Sequence, residues 1–357
     1  ALEFRKVNRM GCGSYKASDW AQLRQNRGLS TSAGAKHTFK NVGIKDTLDS
    51  RYISYRESKD SNDSPNSTPV IIGFDVTGSM DYLANHIATK SLNDTILEIL
   101  ESQTISNPHI MCAAFTRKDM PLQITQFEAD IRVVEQLLDF SIGGYNSSAA
   151  DNLLWYFAAN HTKIDSLEKR GKKGILIGIG DEKSLYKDNA LKSSDLKVAF
   201  NEVGAGKHKF SDVMRMADKK YELFHIVIGE DFRFNPKSNR ESYREWCDAL
   251  PGRVARIHAD NIGYLNTLIV SIIRLSQGED KNRVCDSIRD KVAREVVEWG
   301  IADMDFGPLQ YEKSKAYIHE NKFNLKIKRS PKERELDREI IRKITPKERS
   351  LEEIIRG

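Results

Sequence analysis

Residues Val70-Ile71-Ile72-Gly73-Phe74 form an apolar run with no polar alternation, and the run ends on Asp75-Val76-Thr77-Gly78-Ser79-Met80. A run of this kind reads as a strand buried on both faces, the habit of a central parallel sheet. Leu83, Ile87, Leu92, Ile96, Ile99 and Leu100 follow at helical spacing. Strand, polar turn and helix put Asp75, Thr77 and Ser79 at the carboxyl end of the strand, where open α/β sheets bind ligands. Three oxygen donors at alternate positions suit a hard divalent cation. The same residues also suit a plain turn with an Asx cap.

The segment Asp75-Val76-Thr77-Gly78-Ser79-Met80 resembles the first metal loop of the von Willebrand factor type A domain, whose pattern is Asp-x-Ser/Thr-x-Ser. The resemblance implies an α/β fold, a doubly wound, Rossmann-like and mostly parallel six-stranded sheet. It also implies a magnesium or manganese site completed by two later loops, and a protein partner whose carboxylate finishes the metal shell. The candidate second loop is Ser141-Ile142-Gly143-Gly144-Tyr145-Asn146-Ser147-Ser148. In the family a Thr, or Gly-Asp, commonly follows the glycine pair; here Tyr145 and Asn146 stand there, and tyrosine is a poor magnesium ligand. Asn146, Ser147 or Ser148 can still offer an oxygen, directly or through water; a glycine turn capping a helix uses the same residues. Asp181, closing the expected strand that begins at Lys173, matches the third loop, where the resemblance implies binding through water.

A second resemblance competes for the same residues. An aspartate in Asp-x-Thr-Gly-Ser at a strand end is also similar to the haloacid dehalogenase-like phosphoryl-transfer enzymes, and the stretch from Gly180 to Leu191 echoes their acidic magnesium loop. Asp75 would then attack phosphorus. Those enzymes usually insert a flap after the first motif, whereas a long amphipathic helix pattern follows directly here. The sequence offers no general base beside the acids, so the expectation is a non-enzymatic, metal-dependent adaptor or assembly component. A structural subunit with a vestigial metal site is the third reading.

The alternation of strand and helix patterns continues from Pro69 to about Gln277, with strands expected at 109–115, 122–127 (an antiparallel edge), 173–181, 223–228 and 254–258 and a closing helix through Leu265–Leu275. His225 and His258 lie inside strands and read as packed histidines. The expected organisation is a polar N-terminal extension (1–68), a type A-like domain (69–277) and a charged helical extension (278–357). Within the first, 51–56 alternates like a strand and 58–69 reads as a solvated linker. Within the last, 284–299 reads as one amphipathic helix with Val284, Ile288, Val292 and Val296 on a face.

The net charge of +5 resides in the tail, where residues 321–357 carry twelve Lys or Arg against seven Asp or Glu. The rest of the chain balances, which argues against a nucleic-acid groove. The tail holds two capping boxes, Ser330-Pro331-Lys332-Glu333 and Thr345-Pro346-Lys347-Glu348, each feeding a short apolar face that includes Ile340 and Ile344, then Ile354. Helices this short are marginal alone, so Ile340, Ile344 and Ile354 are expected to dock on a protein, including by self-assembly. Cys12, Cys112, Cys247 and Cys285 contain no CxxC pair, and no signal-peptide or membrane-span pattern occurs. The expected setting is cytoplasmic, away from membranes.

Overall fold

The computed structural model describes residues 22, 23, 25, 26, 43–77, 92–101, 104–141, 149–184, 190–229 and 236–306. Ser79, the loop residues Tyr145, Asn146 and Ser147, and the tail with Ile340, Ile344 and Ile354 lie outside the described residues.

The elements in chain order are β1 (Arg56–Ser58), β2 (Thr68–Asp75), α1 (Leu92–Glu101), β3 (Pro108–Phe115), β4 (Gln123–Ile124), α2 (Arg132–Leu137), α3 (Asp151–Asn160), β5 (Thr162–Ile164), α4 (Asp165–Arg170), β6 (Gly174–Gly180), α5 (Ser193–Phe200), α6 (Phe210–Asp218), β7 (Tyr221–Gly229), α7 (Pro236–Ala249), β8 (Val254–His258), α8 (Leu265–Ser276), α9 (Lys281–Ser287) and α10 (Lys291–Gly300). Six strands form one sheet in the order β4-β3-β2-β6-β7-β8. The pairs β2–β3, β2–β6, β6–β7 and β7–β8 are parallel. The expected antiparallel edge is present, reduced to two residues, with Ala113 opposite Ile124 and Ala114 opposite Gln123.

The unbroken apolar runs are buried on both faces, as their lack of alternation requires. In β2, Val70, Ile72 and Phe74 join a core with Ile96 and Ile99 of α1, Val133 of α2 and Leu268 and Ile272 of α8. Ile71 turns to the other side and joins Leu154 and Trp155 of α3, Leu196 of α5, Phe210 of α6 and Trp246 of α7. Helices therefore cover both faces of a mostly parallel sheet. Gly73 is what lets α3 sit so low on β2: a Cβ there would lie 2.2 Å from Leu154 Cδ2.

Packing crosses both expected boundaries. Of residues 51–56 only Arg56 is in a strand. A short 3₁₀ helix, Ser50–Tyr52, takes their place, its N-terminus capped by Asp49, which accepts from Arg51 N. The strand comes later, as β1, pairing in parallel with β5 in a small second sheet. Leu48 O accepts from Ile124 N at 2.7 Å, so this segment covers the short edge of the main sheet. Nor is 58–67 a solvated linker. Asp60 accepts from Ser67 N and Ser67 Oγ at 2.9 and 2.8 Å and pairs with Arg170. Buried His109 contacts Ser58 Oγ at 3.0 Å through Nδ1 and Ser64 Oγ at 2.9 Å through Nε2.

At the other end, the single helix expected over 284–299 is two. Asp280 caps α9 and Asp290 caps α10, the latter accepting from Ala293 N at 2.8 Å. The intervening break turns the expected stripe: Val284, Val296 and Val297 are buried in the first core, Ile288 packs against it, and Val292 is 49% exposed. Arg253 lies over Phe224 and Phe306, and Arg256 over Tyr243 and Trp299, stacking this segment beside β8. No described helix is long and apolar enough to cross a membrane, and Cys112, Cys247 and Cys285 are free thiols.

Candidate functional site

The order of strands reverses about β2 and β6: β3 and β4 extend one way from β2, β7 and β8 the other way from β6. In open α/β sheets a reversal of this kind is where the ligand crevice lies, at the carboxyl ends of the two central strands. Asp75 is the last residue of β2, and Asp181 follows directly on β6. The register carries Phe74 opposite Ile179, which puts Gly180 beside Asp75 and Asp181 one residue further along the neighbouring strand. Gly180 makes room between them, since a Cβ on it would lie 3.3 Å from Asp75 Cβ.

Asp75 is fully buried. Its Oδ1 accepts from Thr77 N at 2.7 Å, which closes an Asx-type turn. Its Oδ2 has no hydrogen-bond partner among the described residues. Thr77 is also buried; its hydroxyl sits near enough to oppose the rise in the Asp75 pKa, yet Oγ1 makes no hydrogen bond of proper geometry. Burial raises the Asp75 pKa from 3.8 to about 7; the Thr77 amide opposes the shift, and the charges of Asp181 and Glu182 add to it. An unpaired buried carboxylate oxygen costs stability unless something cationic or protic meets it.

Two further acids lie near; sequence reasoning missed Asp151 and met Glu182 only within the acidic stretch from Gly180 to Leu191 of the phosphoryl-transfer resemblance. Asp151, the first residue of α3, is buried, and its pKa lies well above the usual range because of burial and then the charge of Asp75. Three contacts hold it there: Ala150 N donates to Thr116 O at 2.7 Å, Leu154 sits on Gly73, and Trp155 meets Trp246 edge-on at 5.7 Å. Glu182 is half-buried, its pKa raised by burial and by Asp181. Trp246 Nε1 donates to Glu182 O at 3.0 Å, pinning the backbone of the loop after β6 to α7. On its other side Trp246 stacks on His225, ring centroids 3.5 Å apart. His225 is a packed histidine, as expected, kept neutral by burial that lowers its pKa to about 3. His258 is a cap: its Nδ1 accepts from Asp260 N at 3.1 Å.

Of the expected ligands, Asp75, Thr77 and Asp181 thus meet at one sheet edge, and Ser79, Asn146 and Ser147 lie outside the described residues. Among the described residues no three His, Cys, Asp or Glu side chains form a ready-made metal cage. The donors that do fit a hard cation are the oxygens of Asp75 and Thr77 that lack a partner among the described residues, with the carboxyls of Asp151, Asp181 and Glu182 around them. Asp151 left one signal in the sequence: a single carboxylate inside the otherwise apolar stretch Ala149–Ala159, broken only by its neighbour Asn152.

No family model matches the chain, and no curated protein matches it. Among solved structures it is similar to the pilus adhesin SpaC of Lactobacillus rhamnosus GG in its open conformation, at 10% identity and a TM-score of 0.40, with 62% of this chain and 31% of that chain covered.

Proposed function

We propose that this chain is a metal-dependent protein-binding module of the von Willebrand factor type A kind, with a doubly wound sheet, acting as an adaptor or assembly component and not as an enzyme. Asp75, Thr77 and Ser79 would hold magnesium or manganese directly, and Asp181 through water. A bound ion of this kind offers an open position to a carboxylate of the partner protein. The observation that carries the reading is the pair of buried oxygens, Asp75 Oδ2 and Thr77 Oγ1, that lack a partner among the described residues, at the edge where the strand order reverses. Asp151 and Glu182 bring two further carboxyls to the site, and a cation there would favour their ionised forms. The phosphoryl-transfer reading needs the same Asp75 as an accessible nucleophile, and its complete burial gives that reading no support.

The test is thermal melting in EDTA and in magnesium or manganese. A ligand bound only by the folded state stabilises it by about 2.7 kcal/mol at a hundred times its Kd. The metals should raise the Tm of the full chain, and Asp75→Ala should abolish the rise. An unmutated protein indifferent to both metals would leave the vestigial-site reading. Turnover of generic phosphoesters that disappears in Asp75→Asn would instead install the phosphoryl-transfer reading.

A further inference from the structure

Among the described residues, four of the five large apolar side chains left exposed lie on one flank: Tyr52 at 62%, Tyr55 at 50%, Val198 at 40% and Val203 at 83%. They come from two distant segments that polar ties bring together. Ser50 Oγ donates to Ala199 O at 2.6 Å, setting the 3₁₀ helix with Tyr52 beside the end of α5 with Val198. His161, the C-cap of α3, joins the other pair. Its Nδ1 donates to Ser54 O at 3.1 Å and its Nε2 lies 3.0 Å from Glu202 Oε1, while Tyr156 Oη donates to Glu202 Oε2 at 2.7 Å. Residues 52–55 and 198–203 therefore form one supported surface. Exposed apolar groups gathered in this way mark an interaction site more often than scattered ones do.

The exposed charges on the same flank are mainly cationic. Two of its acids are engaged internally: Asp195 accepts from Lys192 N at 2.8 Å, and Glu202 is held by Tyr156 and His161; Asp46 is exposed near Arg51. Lys163, Lys197 and Lys207 are exposed and join no ion pair among the described residues. Lys163 Nζ lies 4.2 Å above the Tyr55 ring, and the Arg51 guanidinium 5.5 Å above Tyr52. The surface combines exposed apolar side chains with exposed cations.

We infer that this flank docks an acidic amphipathic segment of a partner protein, apolar side chains against Tyr52 and Val203 and carboxylates toward Lys163 and Lys207. A stacking platform for single-stranded nucleic acid needs open aromatic faces. Here cations already lie over both tyrosine rings, and the two valines offer a phosphate chain nothing. A second copy of the chain would bring the same unpaired lysines face to face. The flank is also separate from the acidic crevice, because Asp151 begins α3 and His161 ends it, about 15 Å apart along a helix of this length.

The experiment is fluorescence anisotropy of the full chain in EDTA with four labelled probes. These are a synthetic helix with a Glu face and a Leu face, the same helix with Lys for Glu, the same with Ser for Leu, and an oligouridylate. The Glu/Leu helix should bind at least about tenfold more tightly than each of the others, a difference of ~1.4 kcal/mol. The pair Tyr52→Ser with Val203→Ser, and separately Lys163→Glu with Lys207→Glu, should each remove most of that binding with the Tm unchanged, these side chains being exposed. Asp75→Ala should leave it intact, which separates this surface from the crevice. Preference for the Lys helix or the oligouridylate overturns the inference. So does binding untouched by both double variants, or a dimer in sedimentation that those variants dissolve.

Discussion

Gly180 stands beside Asp75 where β6 and β2 end, and a methyl group on Gly180 would lie 3.3 Å from Asp75 Cβ. That gap is tight but not closed, so Gly180→Ala should fold, losing on the order of 1 kcal/mol as Asp75 shifts to make room. The shift falls on the carboxylate that carries the site. The rise in Tm caused by magnesium should therefore shrink by more than the loss of basal stability explains. Melting curves with and without the metal check this. An unaltered metal response in Gly180→Ala would mean that the position of Asp75 is not what the ion senses.

The pH dependence of the metal-free protein follows from Asp75. Its pKa is about 7 in the fold against 3.8 ordinarily, because burial disfavours the carboxylate. The folded state thus holds a proton that the unfolded chain releases. That contribution is complete below about pH 4 and is lost as the pH rises through 7, to a ceiling on the order of 4 kcal/mol. Asp151 is shifted in the same direction. In EDTA the Tm should fall from pH 6 to pH 8. Asp75→Asn should flatten that fall, melt above the parent at pH 8 and ignore magnesium. A variant that melts below the parent at pH 8 would contradict this account of the buried carboxylate.

Gly73 and Leu154 offer a test of how α3 is seated. A Cβ at Gly73 would lie 2.2 Å from Leu154 Cδ2, a true overlap. Gly73→Ala should cost about 1–3 kcal/mol by overpacking, and Leu154→Ala about 2–5 kcal/mol by cavity formation. The double variant should cost clearly less than their sum, because the new methyl occupies space the leucine vacates. Denaturant unfolding of the four proteins measures the coupling, and strict additivity would refute the contact.

Trp246→Phe removes the indole N–H that reaches Glu182 O while keeping most of the packing against Trp155 and His225. The lost hydrogen bond should cost about 0.5–1.5 kcal/mol beyond the change in packing. It should also weaken magnesium binding in calorimetry, since the loop that bears Asp181 and Glu182 would lose its tie to α7. Unchanged affinity would make the bond purely structural.

The strands were legible because a parallel strand buried on both faces leaves an unbroken apolar run, and 70–74 and 174–179 are of that kind. Asp75 and Asp181 were legible for the same reason, as acids at the ends of those runs. What escaped were arrangements made by polar groups far apart in sequence. Asp60 reads as part of a polar loop until Arg170 is placed beside it, and His109 as an ordinary strand residue until Ser58 and Ser64 flank it. Asp290 illustrates a local ambiguity: the same carboxylate fits the exposed side of one long helix or the cap of a second. Asp151 fits the favourable charge of a helix start, and only the meeting of β2, α3 and β6 gives it neighbours that oppose its ionisation.

The small β1–β5 sheet bears on the order in which this chain assembles. His161 and Ser54, whose contact abuts that sheet, are 107 residues apart in sequence. Closing so long a loop is entropically unfavourable until intervening structure has drawn its ends together. Residues 56–58 therefore have no strand to pair with before α3 lies on β2 and β5 has emerged from its end. They should be the last to arrive during refolding, and their amide hydrogens should exchange sooner than those of β2. The strand β1 is then a late-closing latch, and for a short interval in every folding event the Ile124 carbonyl of β4 lacks the Arg56 guanidinium that donates to it at 3.0 Å.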